Sequence, residues 1–357
     1  MWVKYGVKPI CFISDIDLLV YRWGRLYRYD LESRKMTKLK VFSFLGILEC
    51  IFPIVFRFLR RTIRTGLKID ENIVLLQFGK KIYEYNLSLN TISKGFLLGR
   101  SRVLKFSIIE DKKIGKNQVV FGEYFGNPKK EEVFIYKRTG VDRWDKIYRF
   151  SPGEITHVHN IVSDKYNDCI WVFTGDFGNE AGIWKTDDDF KTLEPILLGS
   201  QKYRACIGFP TEDGLLYATD TPFEYNAIRI LHKDNEGNWT TNVVKDIKGS
   251  CIYGCQCSDD KYVFSSTVES DGIDEGFLSK LFGRKRGKGI IDDNAYIYIG
   301  NGRDFNVIYE SEKDIWPFIF QFGTFMFPAG KNKSKYLPFY PIAVKKNNMS
   351  MIVIEKN

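Results

Sequence analysis

Short alternations of apolar and polar residues run through almost the whole chain, at the period of two that β-strands require. They come in pairs. An aromatic-led strand, a polar turn and a second strand recur as "RLYRYDLESRKMTKLKV" from Arg25, "KIYEYNLSLNTISKGF" from Lys81 and "FIYKRTGVDRWDKIYRF" from Phe134. The same unit returns as "GIWKTDDDFKTLEPIL" from Gly182, "IRILHKDNEGNWTTNVV" from Ile228 and "YIYIGNGRDFNVIYES" from Tyr296. The repeat is about fifty residues, the length of a four-stranded propeller blade. Further strands lie between the hairpins, so that "ITHVHNIV", "CIWVFTGD", "GIWKTDD" and "LEPILLG" read as strands A to D of one blade. After the sixth hairpin the chain supplies three strands without a fourth, and the N-terminal "WVKYGV" can fill that place. The pattern therefore predicts an all-β chain, one β-propeller domain over residues 1–357, with seven blades and six as the alternative.

Two segments break the alternation. Val41 to Gly66, "VFSFLGILECIFPIVFRFLRRTIRTG", is apolar for about sixteen residues, is interrupted by Glu49 and Pro53, and ends on Arg57, Arg60, Arg61 and Arg64. A spanning helix needs about twenty apolar residues, so this reads as a helical insertion that lies in a membrane interface or packs on the ring. Gly276 to Gly289, within a basic loop insertion at 272–290, has the same apolar-then-basic character.

Composition adds limits. The 357 residues are 44% hydrophobic and 15% aromatic, enough for a large core. Seven cysteines without a CxxC pair read as buried thiols in a reducing compartment. The formal charge of +9 is spread among 44 acids, and no nucleic-acid-binding motif spacing occurs, so it points to an anionic membrane surface or an acidic polymer instead. The first residues lack a secretory signal pattern, and the expected location is cytoplasmic, peripheral on the inner face of the membrane.

"TDDDFKTL", Thr186 to Leu193, resembles the Asp-box of sialidase-like propellers, Ser-x-Asp-x-Gly-x-Thr-Trp. Thr186, Asp188 and Thr192 stand in the Ser, Asp and Thr places, and Phe190 and Leu193 depart from Gly and Trp; "RTGVDRW" from Arg138 is a more degenerate copy. The stretch from His157 to Asn226 also looks like uncharacterised members associated with bacterial surface-polysaccharide genes. The resemblance implies a propeller and a carbohydrate-active role. It also implies an arginine triad, a tyrosine–glutamate pair and an aspartate.

In a propeller the D-to-A and B-to-C joins emerge on one face. The D-to-A joins bring Arg100, Arg102, His157, His159, Gln201, Tyr203 and Arg204 to that face. The B-to-C joins add Glu123, Tyr124, Asp176, Glu180, Asp220, Glu224, Asn226 and Glu269. Three consecutive blades place an acid directly after strand B, namely Glu123, Asp176 and Asp220. Acids at one repeated position beside paired imidazoles describe a binding pocket.

Two chemistries on a polysaccharide or oligosaccharide follow. Hydrolysis, placed first, takes an acid and a base or nucleophile from Asp176, Glu180, Asp220 and Glu224. Elimination uses His157 or His159 as base, Arg204 or a metal to neutralise a uronate carboxylate, and Tyr203 as proton donor. His157, His159, Asp176 and Glu180 are the catalytic candidates, and Glu123, Gln201, Tyr203, Arg204, Asp220, Glu224 and Asn226 the substrate-binding ones. No cofactor is called for, although His157 and His159 leave a divalent metal open. A non-catalytic scaffold that binds a glycan or a membrane glycosyltransferase is the remaining reading.

Overall fold

Within each sheet the outermost strand is the least buried. In the fourth blade Cys169–Thr174 is buried at every position, whereas Glu194–Leu198 has none buried. That gradient arises when inner strands are sandwiched between neighbouring sheets and the outer strand faces solvent. A computed structural model describes residues 1–111, 116–258, 260–270, 283 and 285–356. It is a seven-bladed β-propeller of antiparallel sheets. The blades span residues 8–41, 63–97, 107–150, 158–198, 205–247, 250–312 and 324–355, the last with Trp2–Tyr5 added.

Trp2–Tyr5 is the outermost strand of blade seven, in register Trp2 to Val353 and Tyr5 to Ser350. The ring is thus closed by pairing the start of the chain to its end, as the leftover strand "WVKYGV" predicts. Among the described residues the buried side chains form seven apolar clusters, one at each junction of consecutive blades. Ile109, Val120 and Phe150 of blade three meet Val158, Ile161 and Trp184 of blade four, for example. The core is therefore distributed around the ring, and no blade buries its apolar faces alone.

At the Asp-box stretch the Asp188 carboxylate accepts from the Thr192 amide at 3.0 Å and the Thr192 hydroxyl at 2.8 Å, while the Thr186 hydroxyl donates to it at 2.9 Å. These bonds, the Thr192 amide first, hold Asp188 down at about 2. Phe190, in the place of the motif's glycine, takes φ 64° and buries its ring in the junction between blades three and four.

The insertion after blade one folds as a 3-10 turn, Phe44–Ile47, and two short helices, α1 (Leu48–Ile51) and α2 (Pro53–Leu59). Pro53 opens α2 where its missing N–H costs nothing, and Arg60 ends it in the left-handed conformation, φ 51°. Arg57 is buried and turned inward: its guanidinium donates to Asp314 at 2.5 Å and to the Phe320 carbonyl at 2.9 Å. The insertion is thereby fastened to the join between blades six and seven. Phe44, Leu45, Leu48, Ile51, Phe52, Val55, Phe58 and Leu59 remain exposed. Among the described residues no helix is long and apolar enough to cross a membrane. Most of the second insertion, residues 271–282 and 284, lies outside the described residues.

Candidate functional site

The innermost strands carry a repeated irregularity that the alternation does not reveal. In five blades the pairing of strand A with strand B shifts by one residue, between Pro9 and Cys11, Ile63 and Thr65, Val158 and Asn160, Ala205 and Ile207, and Cys251 and Tyr253. The extra residues are Ile10, Arg64, His159, Cys206 and Ile252. Such bulges re-aim a side chain where a strand ends, and Arg64, Cys206 and Ile252 line one cavity of about 500 Å³ in the channel mouth.

Two glycines place the rest. Gly175, at φ 69°, makes a turn in which a Cβ would lie 1.9 Å from the Glu180 carbonyl oxygen, and this turn sets Asp176 over the histidines. At Gly122 a Cβ would lie 2.3 Å from Val158, so the close approach of blades three and four depends on its absence. That approach brings the Tyr124 ring to 4.4 Å from the His157 ring.

His157 and His159 are both buried. Their Nδ1 atoms face the carbonyls of Phe125 at 3.2 Å and Ala205 at 3.1 Å. Their Nε2 atoms face each other at 2.9 Å, and Asp176 lies 3.3 Å from each. Arg204 reaches the same carboxylate at 3.1 Å, and Gln201 donates to the Asp176 carbonyl at 2.9 Å. Burial pushes the Asp176 carboxyl up, but the contacts with His157 and His159 and the Arg204 charge outweigh it and hold it well below the usual range. In the next blade the Cys206 thiol, un-ionised because of burial and the adjacent Asp220 charge, donates to Asp220 at 3.0 Å. Glu269 is pushed up to about 8 by burial and by Asp220, against the pull of Arg204, and accepts from the Ser250 hydroxyl.

The opposite wall is cationic, with Lys8, Arg60, Arg64 and Arg102 lining the same cavity as His157, Asp176 and Asp220. Among the described residues the side chains of Arg60, Arg64 and Arg102 make no hydrogen bond or ion pair with the protein. Arg64 is held below its ordinary range by burial and by repulsion from Arg102 and Arg60. Lys8 is lowered to about 7 by burial and by Arg64, against the pull of Glu49. Among the described residues these three guanidinium groups have no acidic partner, and their planar forks have the geometry that pairs with a carboxylate or other anion.

The other candidates separate clearly. His157, Asp176 and Asp220 line the cavity, with His159, Arg204 and Gln201 packed behind them. Glu180 is elsewhere, accepting from the Thr156 hydroxyl and facing Lys130 at 3.7 Å. Glu123 accepts from the Phe134 amide at 3.1 Å, inside its own blade. Asn226 ties its loop together through Thr221, Glu224 and Gly289. Tyr203 packs in the junction of blades four and five, and the Glu224 side chain is exposed. Arg60 and Arg64 were readable by the join rule, since they sit on the D-to-A join from blade one to blade two; their apolar neighbours assign them to a lipid surface instead.

Fold and site define a seven-bladed β-propeller with a bipolar cavity in its channel mouth. The chain is similar to the β-propeller domain of Myceliophteria thermophila Cps50 (Swd1), at 11% identity and a TM-score of 0.54, covering 99% of this chain and 96% of that one. It is also similar to the CNH domain of AfRom2, at 7% identity and a TM-score of 0.53, covering 98% of this chain and 94% of that one. At these identities the likeness carries the fold alone. No family model matches the chain, and no curated protein matches it in sequence.

Proposed function

We propose that the propeller acts on an acidic polysaccharide or oligosaccharide, taking a carboxylate-bearing sugar into the mouth cavity. The observation that carries this reading is the wall of Arg60, Arg64 and Arg102, unpaired among the described residues and lining a cavity shared with His157, Asp176 and Asp220. Planar guanidinium forks match a carboxylate, and Tyr124, Tyr253 and Phe322 supply aromatic surface for a sugar ring.

Elimination is favoured over hydrolysis. Hydrolysis needs two available carboxyl groups across the bond, but Asp176 is engaged by two histidines and Arg204, and Glu180 by Thr156 and Lys130. Asp220 keeps one carboxylate oxygen without a hydrogen-bond partner. In this reading the arginines neutralise the uronate carboxylate and acidify the adjacent C–H. Asp220 takes that proton, the electron pair forms the new C=C bond, and the bond from the β-carbon to the glycosidic oxygen breaks. Tyr124, kept protonated by burial first and by the nearby acidic groups, gives its proton to the leaving oxygen.

The test is release of the unsaturated product, read by its ultraviolet absorbance, from a panel of uronate-containing polymers. Native protein is expected to produce it, and Asp220→Asn and Tyr124→Phe each to lower kcat by about 100-fold or more. Reducing ends without absorbance would replace elimination by hydrolysis. Binding of the polymers without any product would replace both by a glycan-binding scaffold.

The exposed apolar face of the 44–59 insertion supports a second element of the proposal, attachment to an anionic membrane surface. The protein is expected to co-sediment with phosphatidylserine-containing vesicles, and Phe44→Ser with Phe52→Ser to reduce the bound fraction about tenfold. Equal sedimentation of both proteins would remove the insertion from that role.

A further inference from the structure

We propose that His157, His159 and Asp176 hold a divalent first-row transition-metal ion in the channel mouth. A backbone carbonyl only accepts hydrogen bonds, so the contacts to Phe125 and Ala205 put the proton of each imidazole on Nδ1. Each Nε2 of a neutral ring is then a bare lone pair, and the two lie 2.9 Å apart. A carboxylate, also an acceptor, stands 3.3 Å from both. Three acceptors converge on one point, where lone pairs repel unless something positive lies among them.

Two further acceptors nearby are short of a donor. Asp220 Oδ1 and Gln201 Oε1 are buried with no hydrogen-bond partner, and Gln201 holds the Asp176 backbone through its other amide atom. The ligand atoms of His159, Cys206 and Asp220 also lie within 4.8 Å of one another. One shared proton would satisfy the imidazole pair and leave those oxygens as they are. A hydrated dication would join both nitrogens to the carboxylate and offer water protons to Asp220 and Gln201. Arg204, with Nη2 on the carboxylate and an unpaired Nε, orients Asp176 from behind.

The donor set narrows the ion. Two imidazole nitrogens and one carboxylate suit Mn2+, Fe2+, Co2+, Ni2+ or Zn2+ rather than Ca2+ or Mg2+. With metal–ligand bonds of about 2.1 Å, neighbouring donors in an octahedral shell lie about 3.0 Å apart, close to the spacing of these three. Both histidines already donate their Nδ1–H to a backbone carbonyl, the support that fixes metal-binding imidazoles. His157 and Asp176 line the cavity, so the open positions would face any ligand bound there. The inference does not use the arginine wall, but it shares Asp220 with the proposed elimination, where a metal-bound water on Asp220 Oδ1 would take the place of the substrate proton.

The experiment is a titration of chelator-treated, full-length protein with Co2+ in the absence of any saccharide. One equivalent is expected to bind saturably, below about 100 µM, with visible ligand-field bands and a rise in Tm. His159→Gln is expected to weaken binding about 100-fold and Asp176→Asn about tenfold or more. Absence of saturable binding by the native protein, or unchanged affinity in a folded His159→Gln variant, would overturn the proposal. Should that variant not fold, 15N-histidine spectra of the native protein decide. Zn2+ is expected to move the Nε2 resonances of two histidines and leave their Nδ1 protonated, and unmoved Nε2 resonances would overturn it. Uronate binding measured on the same metal-free protein separates failure of this site from failure of the sugar reading.

Discussion

Replacing Arg64 and Arg102 together by methionine is expected to weaken binding of a uronate oligosaccharide by about 100-fold or more, because each hydrogen-bonded guanidinium–carboxylate contact contributes about 1.5–3 kcal/mol. The same change is expected to leave the protein at least as stable as the native chain. Arg64 is largely removed from water, has no acidic partner among the described residues, and is pressed by Arg102 and Arg60. Methionine keeps the aliphatic bulk and relieves both burial of charge and repulsion. Opposite movements of affinity and stability mark groups that are kept for a ligand. Calorimetric titration and thermal unfolding of the pair read both, and a variant that loses stability while binding normally would assign the arginines to the scaffold.

Deleting residues 1–6 is expected to lower unfolding stability by about 5 kcal/mol or more, a large share of what a domain has in reserve. The deletion removes the ladder from Trp2–Tyr5 to Ser350–Glu355. It also removes the Trp2 indole, which donates to the Tyr29 hydroxyl at 2.8 Å and packs edge-on against Tyr336 at 5.0 Å. The strand left behind, with Met351, Ile352 and Val353 fully buried in the closed ring, becomes an open apolar edge. Urea unfolding should show the lost stability, and light scattering the resulting association. An unchanged midpoint would mean that the ring holds without its closing pair.

Much of this architecture was readable in the alternation of residues, because propeller strands are short and their hairpins recur at a near-constant spacing. The join rule brought His157, His159, Asp176, Arg204, Gln201 and Asp220 to one place. It could not separate them from Glu123, Glu180 and Asn226, which lie on the same joins but turn back to backbone amides, to Thr156 or to their own loop. The separating signal is side-chain direction, which the bulges at Arg64, His159 and Cys206 reset by one residue. A bulge leaves no mark in a pattern of period two. The inward turn of Arg57 and Arg64 was hidden for a different reason. An apolar run followed by arginines has the same composition whether the cations meet lipid phosphate, or Asp314 and a cavity.

On the proposed function, the mouth cavity recognises a sugar through its carboxylate. The most direct test of that recognition is equilibrium binding of one uronate oligosaccharide and of the same oligosaccharide with its carboxyl groups reduced to alcohols. Binding of the acidic form with at least about 100-fold loss on reduction is the predicted result. Equal binding of the two forms, or binding of neither across a panel of uronates, would contradict it.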